Sequence, residues 1–264
     1  MTGQPSSRPI RGLLIDLAGV VWQGDAPIVG AAEAIRRLDA AGLPYRFVTN
    51  TTSSPHSRIA AKLERFGIKA GSGAVFTPAS AARSYLTDRN LTTHFLVVPA
   101  LLEDFRDLPG GDGGRAVVVG DARAGFTYDA LNAAFRQLLD GAELVALAAN
   151  RMFIGDDGEP AMDVGAFVAA LEYASGCSAR VLGKPSADFF RLAADSMELD
   201  LADVAMIGDD AEFDVGGAVT AGARGFLVRT GKGERADPAV LDPAPSGVFA
   251  DLPAAVTAIL DGRA

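Results

Sequence analysis

Ile10-Arg11-Gly12-Leu13-Leu14-Ile15-Asp16-Leu17-Ala18-Gly19-Val20-Val21 is the stretch on which the fold turns. Its apolar run is too short for a helix and lies between Pro9 and Gly19, so it reads as a buried strand closed by one carboxylate, Asp16. Taken alone, that acid fits a solvated strand end or a helix cap as well as a functional site. Three later segments repeat the pattern. Tyr45-Arg46-Phe47-Val48 runs into Thr49-Asn50-Thr51-Thr52, and Arg180-Val181-Leu182 leads to Gly183-Lys184-Pro185-Ser186. Val204-Ala205-Met206-Ile207 runs into Gly208-Asp209-Asp210, with Asp214 a turn later.

Helical patterns separate these strands. Ala34, Ile35 and Leu38 have helical spacing in a segment from Gly30 to Ala41 that Gly42 closes. Ser54-Pro55 reads as a cap with proline at the first helical position, opening a helix that stops near Gly67. Thr77-Pro78 opens another after Val75-Phe76, Ser186 is placed to cap a helix after Lys184, and Asp251 with Pro253 starts the last one. Gly225 to Val228 and Val248-Phe249 read as the final strands. Regular alternation predicts an α/β fold, a Rossmann-like parallel sheet covered on both faces. Between residues 79 and 182 the alternation continues in a block able to carry its own core: strands at Phe95 to Val98, Ala116 to Val119 and Leu144 to Ala148, with helices following the first and from Tyr128 to Leu139 and Val164 to Ala174. The expected organisation is a core from 1–78 and 183–264, with 79–182 inserted.

In open parallel sheets ligands bind at the carboxyl ends of the strands. Asp16, Thr49, Asn50 and Asp209 all sit there and can share one crevice. Converging carboxylates repel unless a cation or a shared proton intervenes, and this pattern suggests a hard divalent ion such as Mg. With Lys184 as a point charge and the hydroxyl and amide of Thr49 and Asn50, the set suits a dianionic phosphoryl group, whose transfer needs positioning and charge neutralisation. Asp16 could then attack phosphorus and form an aspartyl phosphate.

Bulk composition narrows the partners. Acids outnumber bases by 33 to 24 in 264 residues, a net charge of −9, which argues against nucleic acid or an anionic membrane surface and leaves a small phosphorylated substrate. Apolar residues make up 49% of the chain, ample for a packed core. The single cysteine, Cys177, excludes an internal disulfide and fits a reducing compartment. The first nine residues lack the apolar core of a signal peptide and read as a frayed start, and no apolar run approaches the roughly 18 residues of a membrane span. The chain is expected in the cytoplasm, and a homodimer is left open.

In order, Asp16-Leu17-Ala18-Gly19-Val20, Thr49-Asn50, Gly183-Lys184-Pro185 and Gly208-Asp209-Asp210 up to Asp214 resemble the four motifs of the haloacid dehalogenase superfamily of phosphatases. The inserted block resembles the large α/β cap of its type IIA members. The nearest resemblance is to the branch that includes phospholysine/phosphohistidine/inorganic pyrophosphate phosphatase. The resemblance implies Asp16 as nucleophile and Mg ligand, the main-chain carbonyl of Ala18 and the carboxylate of Asp209 as further ligands, and Thr49 and Asn50 as holders of the phosphoryl group. It further implies that Lys184 neutralises that group and positions Asp16, with Asp210 and Asp214 behind the metal ligands.

Ala18 departs from the superfamily's usual pattern, in which a second Asp serves there as general acid and base. A methyl group can do neither. General acid–base catalysis contributes roughly 10²- to 10⁴-fold, against accelerations that commonly start at about 10⁶, so the loss predicts a slower enzyme and not an inert one. Phosphoramidates, acyl phosphates, pyrophosphate and aryl phosphates would suffer least. The alternative is a weakened phosphate-binding or regulatory member of the fold. Phosphonoacetaldehyde hydrolase shares Asp-x-Ala but needs a cap lysine, and Lys62, Lys69, Lys184 and Lys232 all lie outside 79–182. A phospho-acceptor receiver module places its acid pair before the acceptor, contrary to the order here.

Several look-alikes carry no site. Gly155-Asp156-Asp157 copies Gly208-Asp209-Asp210 without a preceding strand and reads as a turn, as does Gly120-Asp121. Thr230-Gly231-Lys232 fails the spacing of a P-loop, with Gly233 where Ser or Thr is required. His56 and His94 have no serine or cysteine motif to complete a triad. Cys177 reads as a small buried or half-buried residue, and Arg151 after Asn150 is as readily a surface arginine as an anion contact.

Overall fold

The computed structural model describes residues 8–71, 73–154 and 159–264. The Gly155-Asp156-Asp157 turn and most of the N-terminal nine residues therefore lie outside the described residues. Contacts divide the chain into two compact units, one of 1–49, 59–76 and 184–264, the other of 50–58 and 77–183.

The first unit is built on a six-stranded sheet in the order Gly247–Phe249, Arg224–Val228, Val204–Gly208, Gly12–Asp16, Tyr45–Val48, Val75–Phe76, all parallel. Every residue of Gly12–Asp16 is buried, as a central strand covered on both faces requires. Residues level with one another share a face: Ile15 lines up with Ile207 and Phe47, and Phe47 with Val75. That face packs on Ala31, Ala34, Ile35 and Leu38 of helix Ala31–Ala41 and on Leu252, Ala255 and Val256 of helix Leu252–Leu260. Burying an Ile, Leu or Phe side chain contributes roughly 1.5–3 kcal/mol, so the sheet face is the main cohesive element. On the other face helix Ala187–Asp195 buries Phe189 and Phe190, and the Phe189 ring stands edge-on to Phe76 at 5.4 Å. Ser186 occupies the N-cap of that helix, but its side chain makes no capping bond, contrary to expectation. Asp251 does cap the last helix, accepting from the Ala254 N–H at 2.8 Å.

The second unit holds a four-stranded parallel sheet in the order Arg180–Val181, Glu143–Ala146, Arg115–Val119, Thr92–Leu96. Helices Tyr128–Leu139 and Val164–Ser175 cover it through Ala134, Leu138, Val164, Val168 and Leu171. Thr92–Leu96 replaces the expected strand at Phe95 to Val98 and is followed by a 3₁₀ stretch at Pro99–Phe105, not an α-helix. An edge strand carrying Thr92, Thr93 and His94 shows no apolar run, which hides it. The turn-rich stretch after Asn150 contains an antiparallel pair, Met152–Ile154 with Pro160–Met162. Helix His56–Arg65 begins two residues past Ser54, and its first N–H is capped by the Asp104 carboxylate at 3.1 and 3.2 Å. No described helix is long and apolar enough to cross a membrane.

Candidate active site

Strand register decides which residues meet. Asp16 is level with Val48, and Ile15 with Ile207, so Thr49 and Asp209 follow the ends of the two neighbouring strands on either side of Asp16. Thr49 and Asp209 are both buried.

Beyond Asp209 the chain turns sharply. The Asp210 carboxylate accepts from the N–H groups of Glu212 (3.1 Å) and Phe213 (2.9 Å), and a short π-helical turn, Ala211–Gly216, follows. Such wide turns recur at functional sites because they redirect a side chain out of helical register. Here the turn carries Asp214 back beneath the strand end, where Asp214 Oδ2 accepts from the Asp210 N–H at 3.2 Å. A Cβ on Gly208 would overlap the Asp214 side chain, so the strand must end in glycine.

Lys184, just before helix Ala187–Asp195, completes the group. Its ammonium pairs with Asp16 Oδ1 and, at 2.6 Å, with Asp214 Oδ1. Exposure is 6% for Asp16, 3% for Lys184, 4% for Asp209 and 2% for Asp214, so none of these charges is solvated in the ordinary way. Asp16, Asp209 and Asp214 each offer one oxygen within 4.8 Å of the others.

Three buried carboxylates carry more negative charge than one ammonium balances. Burial raises Asp16 above its usual value despite the opposing pull of Lys184. Burial likewise pushes Asp209 up to about 6, against the Lys232 N–H that favours its charged form. Asp214 is pushed up to about 7, again first by burial and then by Asp16, with Lys184 opposing. Burial by itself would lower Lys184, but the two carboxylates beside it outweigh this and hold its ammonium protonated. The cluster is short of positive charge, and its donors are all hard oxygens. Both facts suit a divalent cation such as Mg, which would displace the protons that the acids otherwise retain.

Not every expected residue joins the cluster. Asp210 turns away: its Oδ2 is 2.7 Å from Lys232 Nζ, and this bond with the two amide donors outweighs burial and lowers its pKa. Asp214, expected behind the metal ligands, stands within the acidic group itself. Its direction is set by the π-helical turn Ala211–Gly216, which no spacing in the sequence marks. Ala18 is exposed and bridges to Trp22, and nothing at its side chain can exchange a proton. Asn50 belongs to the second unit, where its Oδ1 lies so near Gly183 that a Cβ there would come within 3.1 Å. Thr230-Gly231-Lys232, set aside as a failed P-loop, touches the site: the Lys232 N–H donates to Asp209 Oδ2 at 2.7 Å. No local pattern marks that contact in the sequence.

His56, exposed, pairs its Nδ1 with Asp104 Oδ1 at 2.9 Å. Cys177 is half-buried beside Ser175 Oγ. Asp121, of the Gly120-Asp121 turn, forms an ion pair with Arg123 at 2.8 Å, and Arg151 is exposed.

The family described as haloacid dehalogenase-like hydrolase matches residues 13–108, and one described as HAD-hydrolase-like matches 181–255. The chain is 40% identical over 253 residues to haloacid dehalogenase-like hydrolase domain-containing protein 2 of Bos taurus, covering 96% of this chain and 97% of that one. It is 39% identical over 265 residues to phospholysine phosphohistidine inorganic pyrophosphate phosphatase of Danio rerio, covering 97% and 96%. Among solved structures, p-nitrophenyl phosphatase from Archaeoglobus fulgidus superposes with a TM-score of 0.84 at 26% identity, over 95% of this chain and 99% of that one.

Proposed function

We propose, for a chain that belongs to the haloacid dehalogenase-like hydrolases and is a phosphatase of that family, a Mg-dependent reaction through an aspartyl phosphate on Asp16. The observation that carries this reading is the buried group of Asp16, Lys184, Asp209 and Asp214 at one end of the parallel sheet.

Lys184 holds Asp16 Oδ1, and the carboxylate attacks phosphorus with its other oxygen as the bond to the leaving group breaks. Water then attacks the phosphorus of the aspartyl phosphate, releasing phosphate and restoring the Asp16 carboxylate. Lys184 and the Thr49 hydroxyl, with the Asn50 amide, bind the non-reacting phosphoryl oxygens and offset their charge. Asp16, Asp209 and Asp214, with the Ala18 carbonyl, would hold Mg, which when bound neutralises charge on the phosphoryl group. The residues proposed for the chemistry lie almost all in the first unit, 1–49, 59–76 and 184–264, and choice of substrate is assigned to the inserted segment 79–182.

Because Ala18 cannot protonate a leaving oxygen, the substrates are compounds whose leaving group departs without that help: N-phosphorylated amino acids, pyrophosphate and aryl phosphates. The names of the zebrafish and archaeal relatives support this class. Phosphate release from phospholysine, phosphohistidine, pyrophosphate and p-nitrophenyl phosphate, with Mg and with chelator, tests it. Mg-dependent turnover of at least one, lost in Asp16→Asn, is expected, together with an acid-stable label on the protein after quenching with labelled substrate. Silence across the whole panel would sink the catalytic reading.

Ala18 also supports a second reading, a phosphate-binding member without turnover. It requires Mg-dependent ligand binding in the absence of hydrolysis, and turnover gained in Ala18→Asp.

A further inference from the structure

The loop that follows strand Arg224–Val228 makes a tight set of contacts with the acidic group, all within the first unit. The Lys232 N–H donates to Asp209 Oδ2 at 2.7 Å, a charge-assisted bond. The Thr230 hydroxyl donates to the Gly19 carbonyl in the loop that follows Asp16. Gly231 lies between them with φ +55°, and a Cβ there would overlap Asp209 Oδ2 and come within 2.7 Å of Gly19 Cα. Asp209 Oδ1 accepts no hydrogen bond from the described residues, so the fixed oxygen and the open oxygen of this carboxylate are distinct.

We propose that the turn Thr230-Gly231-Lys232 is a positioning element that locks the Asp209 carboxylate and the Gly19 loop in register for a divalent cation. A carboxylate whose one oxygen is tied by a main-chain amide cannot swing about its last side-chain torsion. Its other oxygen is left open, on a carboxylate that offers one oxygen within 4.8 Å of those of Asp16 and Asp214. The amide donor has a second advantage: an N–H carries no full charge, so it fixes Asp209 without competing with the cation for the carboxylate as an ammonium would. Lys232 sends its own ammonium elsewhere, to Asp210 Oδ2. The Thr230 bond extends the same clasp to the Asp16 side, so one turn holds the loops of two adjacent strands. The glycine between them is demanded twice, by its left-handed backbone and by the close approach on both sides.

This inference rests on the reading of Asp209 as a metal carboxylate. The test is calorimetric titration of Mg into the metal-free full chain, with the unfolding midpoint in chelator measured alongside. Thr230→Val keeps shape and removes the donor, Gly231→Ala adds the overlapping Cβ, and Lys232→Pro removes the N–H. Each is expected to weaken Mg binding about 10- to 100-fold, the usual effect of losing a partner that orients a ligand. Thr230→Ser, which retains the hydroxyl, is expected to bind as the parent does. In turnover assays the same variants should need more Mg for half-maximal rate while approaching the parental rate at saturating Mg. Parental Mg affinity in folded Thr230→Val and Gly231→Ala would overturn the inference. Asp209→Asn separates the two readings: if it alone loses Mg, only the clasp is wrong, and if it too binds like the parent, Asp209 is not a metal carboxylate.

Discussion

Lys184 shows most directly how a single side chain holds this site together. Its ammonium is the counter-charge for both Asp16 and Asp214, and all three are buried. Removing one partner of a buried ion pair leaves the others uncompensated, which costs about 3–5 kcal/mol. Lys184→Met is therefore expected to lower the urea unfolding free energy by about that amount in chelator, with part of it regained in Mg. An unchanged midpoint would show that the two acids are protonated and need no ammonium. Ala18 makes the opposite case, a position where a group is missing. Ala18→Asp is expected to raise the hydrolysis rate of alkyl phosphates by up to roughly 10²- to 10⁴-fold while changing p-nitrophenyl phosphate hydrolysis far less, since nitrophenolate leaves without a proton. Comparing kcat on the two substrate types checks this. Asp16, Lys184 and Asp209 were legible as residues that meet at one end of the sheet, because each closes or follows an apolar strand in a characteristic string. Asp214 was legible as a member of its string but not as a member of the acidic group, because its direction depends on the π-helical turn after Asp210.

Elements were legible where local chemistry and tertiary packing agree. Thr77-Pro78 is such a place: the Thr77 hydroxyl accepts from the Ser80 N–H, and the Ser80 hydroxyl accepts from the Thr77 N–H. Thr77→Ala is expected to cost about 1 kcal/mol, read as a lower urea midpoint at unchanged slope. Helix Ala31–Ala41 is another, with its buried Ala34, Ile35 and Leu38 on one stripe and Gly42 at φ +67° ending it. Helix His56–Arg65 begins one residue later than Ser54-Pro55 predicts, and the carboxylate that caps it, Asp104, lies 48 residues away. Strand Thr92–Leu96 was displaced because backbone pairing with Arg115–Val119, not side-chain hydropathy, defines it.

At the scale of the whole molecule the acidic group ties folding to pH and to metal. Asp209 (about 6) and Asp214 (about 7) lie above the ordinary Asp value near 3.9, so between those limits the folded chain binds more protons than the unfolded one. Stability of the metal-free protein from this source therefore falls as pH rises from about 4 to about 7, and the loss is complete above the folded values. A divalent cation reverses the sign, because it favours the ionised carboxylates. The rise in melting temperature on adding a fixed concentration of Mg is accordingly expected to be larger at pH 8 than at pH 5.5. Scanning calorimetry at both values, with Mg and with chelator, checks this, and an equal rise would mean that these carboxylates do not hold the ion.

By itself the sequence determined the class of fold and proposed the polar strand-end residues of a site, since strand-and-helix alternation, glycine and proline punctuation, and polar residues at strand ends are all written within windows of a few residues. Only the tertiary structure decided which of those polar residues share charge. Strand register sets Asp209 beside Asp16, a π-helical turn brings Asp214 to Lys184, and Lys232 reaches Asp209 through a main-chain N–H. The physical reason is that a backbone amide is the same in every residue: nothing in the letter at position 232 announces that its N–H will end on a carboxylate 23 residues earlier.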